Sequence, residues 1–396
     1  MTDQTRTIAK VVVIGGGYSG TIAANRLRKR ADVDVALVNP RPSFVQRLRL
    51  HQFVAGTAEA TADYDTLLAD GVRLVVDEAT RIDTAARTVR LASGDALRYD
   101  YVIYAVGSTA ATPPSVPGAA EFSYPIAEWE HAQRLRAALG ELAPEAPVTV
   151  VGGGLTGIET AAELTEQGYR VTLVCGGELA PTFSARGRRF VAKWLAGHGV
   201  EVIENVRVAE VLRKGAVLAD GTTLPGAVTI WTAGFGVPEL AASSGLRTDP
   251  LGRLITDETL TSLDDERVLA AGDAAAPSNQ PLRMSCQAAG PLGAIAAETV
   301  LSRIDGAEPA RLDTAFLGSN VSLGRKAGIT QVARKDDTAV GFYVGGRIGA
   351  HIKEAATKGT MWGIRREARK PGSLVWFKGG RRPEQAVFAP GETAKP

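Results

Sequence analysis

Two short, largely β-branched runs, Val11-Val12-Val13-Ile14 and Val148-Thr149-Val150-Val151, each stop at a cluster of glycines and pass into an Ala-rich stretch, Thr21 to Arg30 and Ile158 to Gln167. A run of this length without polar alternation reads as a strand buried on both faces, and the stretch behind it reads as a helix laid against that strand. Asp34 to Val38, Arg73 to Asp77, Thr88 to Leu91 and Tyr101 to Ala105 follow the first pair as further strands, separated by Gly, Asp and Ser. Arg170 to Val174 and Val228 to Trp231 follow the second pair, and Arg267 to Ala271 is a last short apolar strand. Ile126 to Leu142 reads as a helix, and another begins at Gln287. Strands alternating with helices predict an α/β fold.

Between run and helix each copy carries the spacing G-x-G-x-x-G. Gly15, Gly17 and Gly20 stand around Tyr18 and Ser19, and Gly152, Gly154 and Gly157 stand around Leu155 and Thr156, 137 residues later. In a strand-turn-helix setting this is a dinucleotide fingerprint. The first glycine makes the tight turn, the second lets backbone approach a pyrophosphate, and the third lets helix and strand pack closely, with the helix N-terminus aimed at the anion. A single copy also suits a plain glycine-rich turn. Two copies in full context imply two dinucleotides in one chain, a flavin and a nicotinamide.

A chain of 396 residues exceeds what one core usually fills, so more than one domain is expected. No apolar run approaches the ~20 residues of a spanning helix, and Met1 to Lys10 lacks an apolar signal core, so the expected location is cytoplasmic. Cys175 and Cys286 fall in no C-x-x-C or metal spacing and read as structural. His51, His131, His198 and His351 are scattered, and no metal site is readable. The formal net charge of +2 conceals an asymmetry: Gly345 to Arg382 holds ten Lys or Arg against two Glu, a local +8 that leaves the rest of the chain at −6.

The strand after the first fingerprint ends at Asn39, where a nucleotide-binding fold sets a side chain on the ribose hydroxyls; an amide there can accept one hydrogen bond and donate another. Arg41, Arg47 and Arg49 follow it. In the second copy the strand ends at Cys175-Gly176-Gly177, with Glu178 close by and Arg186, Arg188 and Arg189 soon after. An acid there favours a free 2′-hydroxyl and a neutral end with nearby arginine favours a 2′-phosphate, so NADH and NADPH both stand. Gly107-Ser108, leading into the proline-rich Pro113 to Gly118, reads as a crossing out of the first domain, and Trp231 to Phe235, with Gly234, as the return. Gly272-Asp273 puts a carboxylate at a strand end, suited either to hold a polyhydroxyl chain or to cap a helix.

Taken in this order, the motifs Gly15 to Gly20, Tyr101 to Ser108, Gly152 to Glu159, Trp231 to Phe235 and Ala271-Gly272-Asp273 resemble the two-dinucleotide flavoprotein reductases of the pyridine nucleotide-disulfide oxidoreductase superfamily. They cover roughly residues 8 to 310. Within that superfamily the chain looks most like type II NADH:quinone oxidoreductases and the ferroptosis-suppressor and apoptosis-inducing-factor-like reductases. The resemblance implies two Rossmann-like three-layer domains, glutathione reductase-like, the second inserted in the first. An FAD-binding domain would take residues 1–112 and 243–310, an NAD(P)H-binding domain 113–242, and a C-terminal interface or membrane-proximal region 311–396. Disulfide reductases of this kind carry redox cysteines between Pro40 and Ala55, and this chain has none there.

The implied site places FAD on Gly15, Gly17, Tyr18, Ser19 and Gly20, with Asn39, Arg41, Gly107 and Gly272 around it and Asp273 on its ribitol and pyrophosphate side. NADH or NADPH would lie on Gly152, Gly154, Leu155, Thr156, Gly157 and Gly234. Glu159 matches a glutamate that stands near the nicotinamide and flavin rings in the quinone-reducing enzymes; its other reading is a first-turn acid complementing the helix dipole. Gln287 and Ala288 match a stretch that reaches the pyrimidine end of the flavin, while Pro291 replaces a second glutamine often found in the quinone enzymes. Thr357-Lys358-Gly359 resembles a flavin-proximal lysine region, which makes Lys358 a candidate for charge near flavin or acceptor, or else a solvated lysine.

The expected activity is hydride transfer from NAD(P)H to flavin and onward electron delivery to an acceptor, a quinone. The alternatives are a soluble reductase of another small-molecule or protein acceptor and a nucleotide-sensing flavoprotein without fast turnover. In the tail, Met361, Trp362, Trp376 and Phe377 lie among the cations, the composition either of an interfacial segment peripheral on the cytoplasmic face of an anionic membrane or of a solvated basic face. No nucleic-acid module surrounds them. The resemblance leaves room for a homodimer.

Overall fold

A computed structural model of the chain describes residues 8–380 together with Arg382. Met1 to Thr7 of the polar N-terminus, Arg381 of the basic tail and residues 383–396 lie outside the described residues. The strand Ala9–Ile14 is the centre of a five-stranded parallel sheet ordered Val268–Ala270, Tyr101–Tyr104, Ala9–Ile14, Val33–Asn39, Val72–Val76. Its residues Val11 to Ile14 are all buried, as an unbroken β-branched run covered on both faces requires: Val11 and Val13 pack towards the helices, Val12 and Ile14 towards Ile82, Val89 and Leu91 of an antiparallel meander. The strand Pro147–Val151 is likewise the centre of a second parallel sheet, ordered Ser123–Pro125, Val228–Trp231, Pro147–Val151, Arg170–Val174, Glu201–Ile203.

Each sheet carries its own three-stranded antiparallel meander, Ala79–Asp83 to Ala96–Arg98 in the first and Val208–Leu212 to Thr223–Pro225 in the second. The first sheet closes only when Val268–Ala270 pairs beside Tyr101–Tyr104, so every strand of the second lies inside a gap in the first. Where the chain leaves and returns, Thr109–Ala110 pairs antiparallel with Phe235–Gly236. The helix expected over Ile126 to Leu142 is shorter, Trp129–Gly140, because Glu128 is extended.

A third, antiparallel sheet, Gly318–Leu323, Ala327–Ala333 and Ala339–Gly345, follows and feeds the helix Gly346–Arg369. The sheet packs on the helix Leu155–Glu166 of the second domain, and the C-terminal helix packs on the helix Tyr18–Leu27 of the first. The buried stripe of the C-terminal helix is Gly349, Lys353, Thr357, Met361, Ile364 and Glu367, a regular three-to-four-residue spacing that includes two charges. No helix among the described residues is long and apolar enough to cross a membrane.

Candidate cofactor cleft

The helices behind the two fingerprints begin at Gly17 and Gly154 with no side-chain cap and no acid in the first turn. The helices Ala185–Gly197 and Cys286–Ile304, by contrast, are capped by Ser184 and Ser285. An uncapped N-terminus leaves several backbone N–H groups free and a positive dipole end unopposed, which suits an anion. The glycine geometry agrees in both copies. Gly15 and Gly152 have φ of +101° and +126°; a Cβ on Gly20 or Gly157 would lie 1.8 or 1.9 Å from the carbonyl oxygen of Gly15 or Gly152; a Cβ on Gly17 or Gly154 would meet nothing within 4 Å. Turn, open approach and close packing are thus divided among the three positions as the fingerprint demands.

One cleft runs from the first fingerprint into the second domain. Its walls include Gly15, Gly17, Tyr18, Ser19, Asn39, Arg41, Arg47, Gly107, Ser108, Gly272 and Asp273 on one side, and Thr156, Glu159, Trp231, Thr232 and Gly234 on the other. Ser19 Oγ is buried without a hydrogen-bond partner at the helix N-terminus. An orphaned donor beside free N–H groups and an open glycine is what a pyrophosphate would satisfy, so these residues fit FAD. Asp273 Oδ2 accepts from Ser108 Oγ at 2.7 Å, and Arg47 Nη1 donates to Ser108 O at 2.8 Å and to its Oγ at 3.1 Å. Burial pulls the Arg47 guanidinium below its ordinary value against the opposing pull of Asp273, and an arginine remains charged even so.

Asn39 has both ends of its amide engaged within the loop: Oδ1 accepts from Gly16 N–H at 3.0 Å and Nδ2 donates to Arg41 O at 2.7 Å. The side chain expected at the ribose hydroxyls lines the cleft and also braces the fingerprint, together with Tyr64, whose hydroxyl donates to Gly16 O at 2.7 Å. Arg41 reaches across to the second domain and grips Glu130 with two hydrogen bonds of 2.7 and 2.5 Å.

Glu159 is the fifth residue of its helix, beyond the first turn, which removes the dipole reading. Its carboxylate is 9% exposed, bonds Lys353 Nζ at 2.8 Å, accepts from Ser322 N–H at 3.0 Å and faces His51 Nδ1 at 3.7 Å. Burial pushes the carboxyl up, but Lys353, His51 and the Ser322 N–H together outweigh it and the net shift is downward. Burial lowers the His51 imidazole to about 4 from its ordinary 6.5, so the ring is neutral at pH 7. A depressed histidine makes the unfolded chain the stronger proton binder. Stability is therefore full above 6.5 and is lost as pH falls towards 4, by on the order of 3 kcal/mol for this group. His51→Gln is expected to flatten that part of a melting temperature against pH curve; an unchanged acid limb refutes the assignment to His51.

Lys358 lies outside this group. It is 72% exposed and pairs with Glu354 at 3.3 Å, because five residues along a helix turn it away from the stripe that buries Lys353. Gln287 and Ala288 do not line the cleft either. The Gln287 amide, oriented to satisfy both ends, donates to Gly318 O at 3.1 Å and accepts from Leu317 N–H at 3.0 Å. Ala288 closes the first turn onto Ser285 Oγ. Cys175 and Cys286 are free thiols; Cys286 borders the cleft, and burial pushes its thiol up, away from the thiolate that disulfide exchange needs. Sequence reasoning missed Arg47, Ser108, His51, Ser322 and Lys353. The usable signals were the place of Arg47 behind Asn39, that of Ser108 at the end of the Tyr101 to Ser108 motif, and the four-residue spacing of Lys353 between Gly349 and Thr357.

A second cavity of about 300 Å³ lies beyond Tyr18 and Cys286, which border both spaces. Its lining is largely apolar, with Pro291, Leu317, Ile364, Leu374, Trp376 and Phe377 prominent. Met361 and Trp376, expected among interfacial residues, face inward: Met361 is core, and the Trp376 indole donates to Asp313 O at 2.8 Å.

Residues 9–293 match the family model described as pyridine nucleotide-disulphide oxidoreductase. An NADH dehydrogenase-like protein of Mycobacterium tuberculosis is 32% identical over 324 residues, which cover 74% of this chain and 80% of that protein. A type II NADH:quinone oxidoreductase of Staphylococcus haemolyticus is 26% identical over 83% of this chain and 91% of its own length. The fold is shared with the sulfide:quinone oxidoreductase of Aquifex aeolicus (TM-score 0.77, 21% identity, 91% and 92% covered) and with NDH2 of Plasmodium falciparum in complex with NADH (0.76, 16%, 91% and 97%). With two open fingerprints and a cleft that runs from the first as far as Thr156 of the second, the chain belongs to the pyridine nucleotide-disulphide oxidoreductase family and is an NAD(P)H-dependent, FAD-binding oxidoreductase similar to the type II NADH dehydrogenases.

Proposed function

We propose that the acceptor is a lipophilic quinone, taken into the apolar cavity from a membrane surface. The observation that carries this reading is that the cofactor cleft and the apolar cavity share Tyr18 and Cys286 as a common wall. FAD, when bound, supplies the two-electron redox chemistry. The chain's own part is to orient: the first fingerprint with Arg47, Ser108 and Asp273 would hold the flavin nucleotide, and the second would hold the nicotinamide nucleotide on the Glu159 side. Overall, NAD(P)H gives up two electrons with one proton, a second proton comes from solvent, and a quinone leaves as quinol. The Pro291 that stands in place of a glutamine adds an apolar wall to the cavity, compatible with a lipophilic ring.

The membrane part of the reading is supported by the rim. Leu317, Val375 and Phe377 line the cavity and are 48%, 82% and 64% exposed, and Trp362, 60% exposed, stacks under Arg366 on the outer face of the C-terminal helix. Arg347, Lys358, Arg366, Arg369, Lys370 and Lys378 are exposed as well. Cations near an anionic bilayer contribute about 1 kcal/mol each, and the apolar rim adds a component that salt does not screen.

The test is steady-state NADH oxidation with a short-chain quinone, in the wild type and in Gly363→Leu. A Cβ on Gly363 would sit 3.7 Å from Leu374 Cδ1, ordinary contact, so the longer side chain grows into the cavity without forcing the backbone. Quinone-dependent turnover is expected to fall at least about tenfold while turnover with ferricyanide, a small hydrophilic acceptor, persists. Equal quinone kinetics in the two proteins sink this reading in favour of another acceptor.

A further inference from the structure

The outer wall of the apolar cavity is a non-helical strap after the C-terminal helix, in which Leu374 and Trp376 turn inward and Val375 and Phe377 are exposed. Two carboxylates tie it down. At its start Glu367 is wholly buried, and its oxygens accept from Gly372 N–H at 2.8 Å, Leu374 N–H at 2.6 Å and Ser373 Oγ at 3.4 Å. The same carboxylate accepts from Arg26 Nε at 2.7 Å, and Arg26 Nη2 donates to Leu374 O at 2.9 Å. At its end Asp313 Oδ1 accepts from Gly379 and Gly380 N–H, both at 2.8 Å. Between the two ties lie Val375 to Lys378, of which Val375, Trp376 and Phe377 border the cavity.

A buried carboxylate needs partners, and here three of its four come from the strap itself. That is more than the helix end requires. Arg26, on the helix that opens with Tyr18, carries the tie back to the cofactor side of the cavity, and its guanidinium also lies 5.5 Å over the Trp376 ring. We infer that Glu367 is a positioning residue of the acceptor site: through the strap it fixes Leu374 and Trp376 at the spacing a flat lipophilic acceptor requires. The inference rests on the apolar cavity being the acceptor site. It assigns Glu367 no contact with substrate or cofactor.

The experiment uses the full-length holoenzyme and two variants. Glu367→Gln puts an amide donor against the Gly372 or Leu374 N–H; Asp313→Ala loosens the other end at a carboxylate that is 35% exposed. Amide hydrogen exchange at residues 372–374 and 379–380 reads the strap directly, FAD content and ferricyanide turnover report an intact holoenzyme, and a short-chain quinone reads the site. Expected are faster exchange at the tie removed and a quinone KM raised about tenfold or more in both variants, with FAD content and ferricyanide turnover within about twofold. Faster exchange with an unchanged quinone KM overturns the positioning role, and unchanged exchange in Glu367→Gln overturns the tie. Should Glu367→Gln fail to fold, Asp313→Ala alone decides by the same two readouts. If Gly363→Leu leaves quinone kinetics unaltered, the cavity assignment fails first and takes this inference with it, an outcome separable from a strap that loosens without consequence.

Discussion

Replacing Gly17 by valine is expected to strip FAD from the protein and to leave its fold in place. Gly17 has φ −73° and ψ −167°, extended backbone that any residue adopts, and a Cβ built on it meets no protein atom within 4 Å. The new side chain therefore costs the apoprotein little. It occupies the open approach between the uncapped helix N-terminus and the unpartnered Ser19 Oγ, where a pyrophosphate must come within hydrogen-bond distance. Losing several charge-assisted N–H contacts is expected to weaken FAD binding at least about a hundredfold, some 2.7 kcal/mol or more. Purified Gly17→Val should be colourless, with wild-type circular dichroism. Gly20→Val is the contrast, since its Cβ would sit 1.8 Å from Gly15 O and helix and turn cannot both stay, so soluble folded protein is not expected. A yellow Gly17→Val protein with stoichiometric flavin would refute the assignment of the first fingerprint.

Both nucleotide-binding domains were legible because their signals are local. A β-branched run, three glycines at fixed spacing and an Ala-rich helix fall within about twenty residues, and each is dictated by its neighbours. Glu159 was legible for the same reason, counted from a fingerprint. What surrounds it was not, since Ser322 is 163 residues away in sequence and is brought in by a C-terminal sheet that no pattern predicted. For the lysine, the short string Thr357-Lys358-Gly359 and the period of the helix that carries it point to different residues. Burial follows the period, and Lys353 is on it. Asn39 shows a different limit. Its position at a strand end was readable, but its two bonds to Gly16 and Arg41 depend on how the loop closes. The apolar cavity is assembled from five stretches, near Tyr18, Gln287, Thr314, Gly363 and Leu374, none of which looks like a site by itself.

Lys353→Met is expected to cost the protein about 3–5 kcal/mol of stability at pH 7, while Lys358→Ala costs no more than about 0.5 kcal/mol. Both remove one ammonium from the same helix, and they differ in what is left behind. Without Lys353 the Glu159 carboxylate, 9% exposed, keeps only Ser322 and a neutral His51 as near partners. Without Lys358, Glu354 keeps Arg49 at 2.8 Å. The pH dependence should change sign at Glu159. In the wild type its folded pKa lies below the ordinary 4.5, so its contribution is present above 4.5 and is lost as pH falls through the folded value. Burial is the largest influence on this carboxyl and acts upward, so removing the ammonium, the chief influence opposing it, is expected to lift the folded pKa above the unfolded one. The contribution of Glu159 in Lys353→Met is then full below the unfolded pKa and is lost as pH rises through the folded value. The deficit relative to wild type should accordingly shrink on going from pH 7 to pH 4, the more so because Lys353 is one of the charges that hold the His51 imidazole down. Adding Glu159→Gln to Lys353→Met should recover at least about half of the loss, since it removes the unpaired charge, and the double-mutant cycle should give a coupling of 2 kcal/mol or more. A Lys353→Met protein that melts with wild type at pH 7, or a cycle whose two single effects simply add, would show that the Glu159–Lys353 contact carries no net energy.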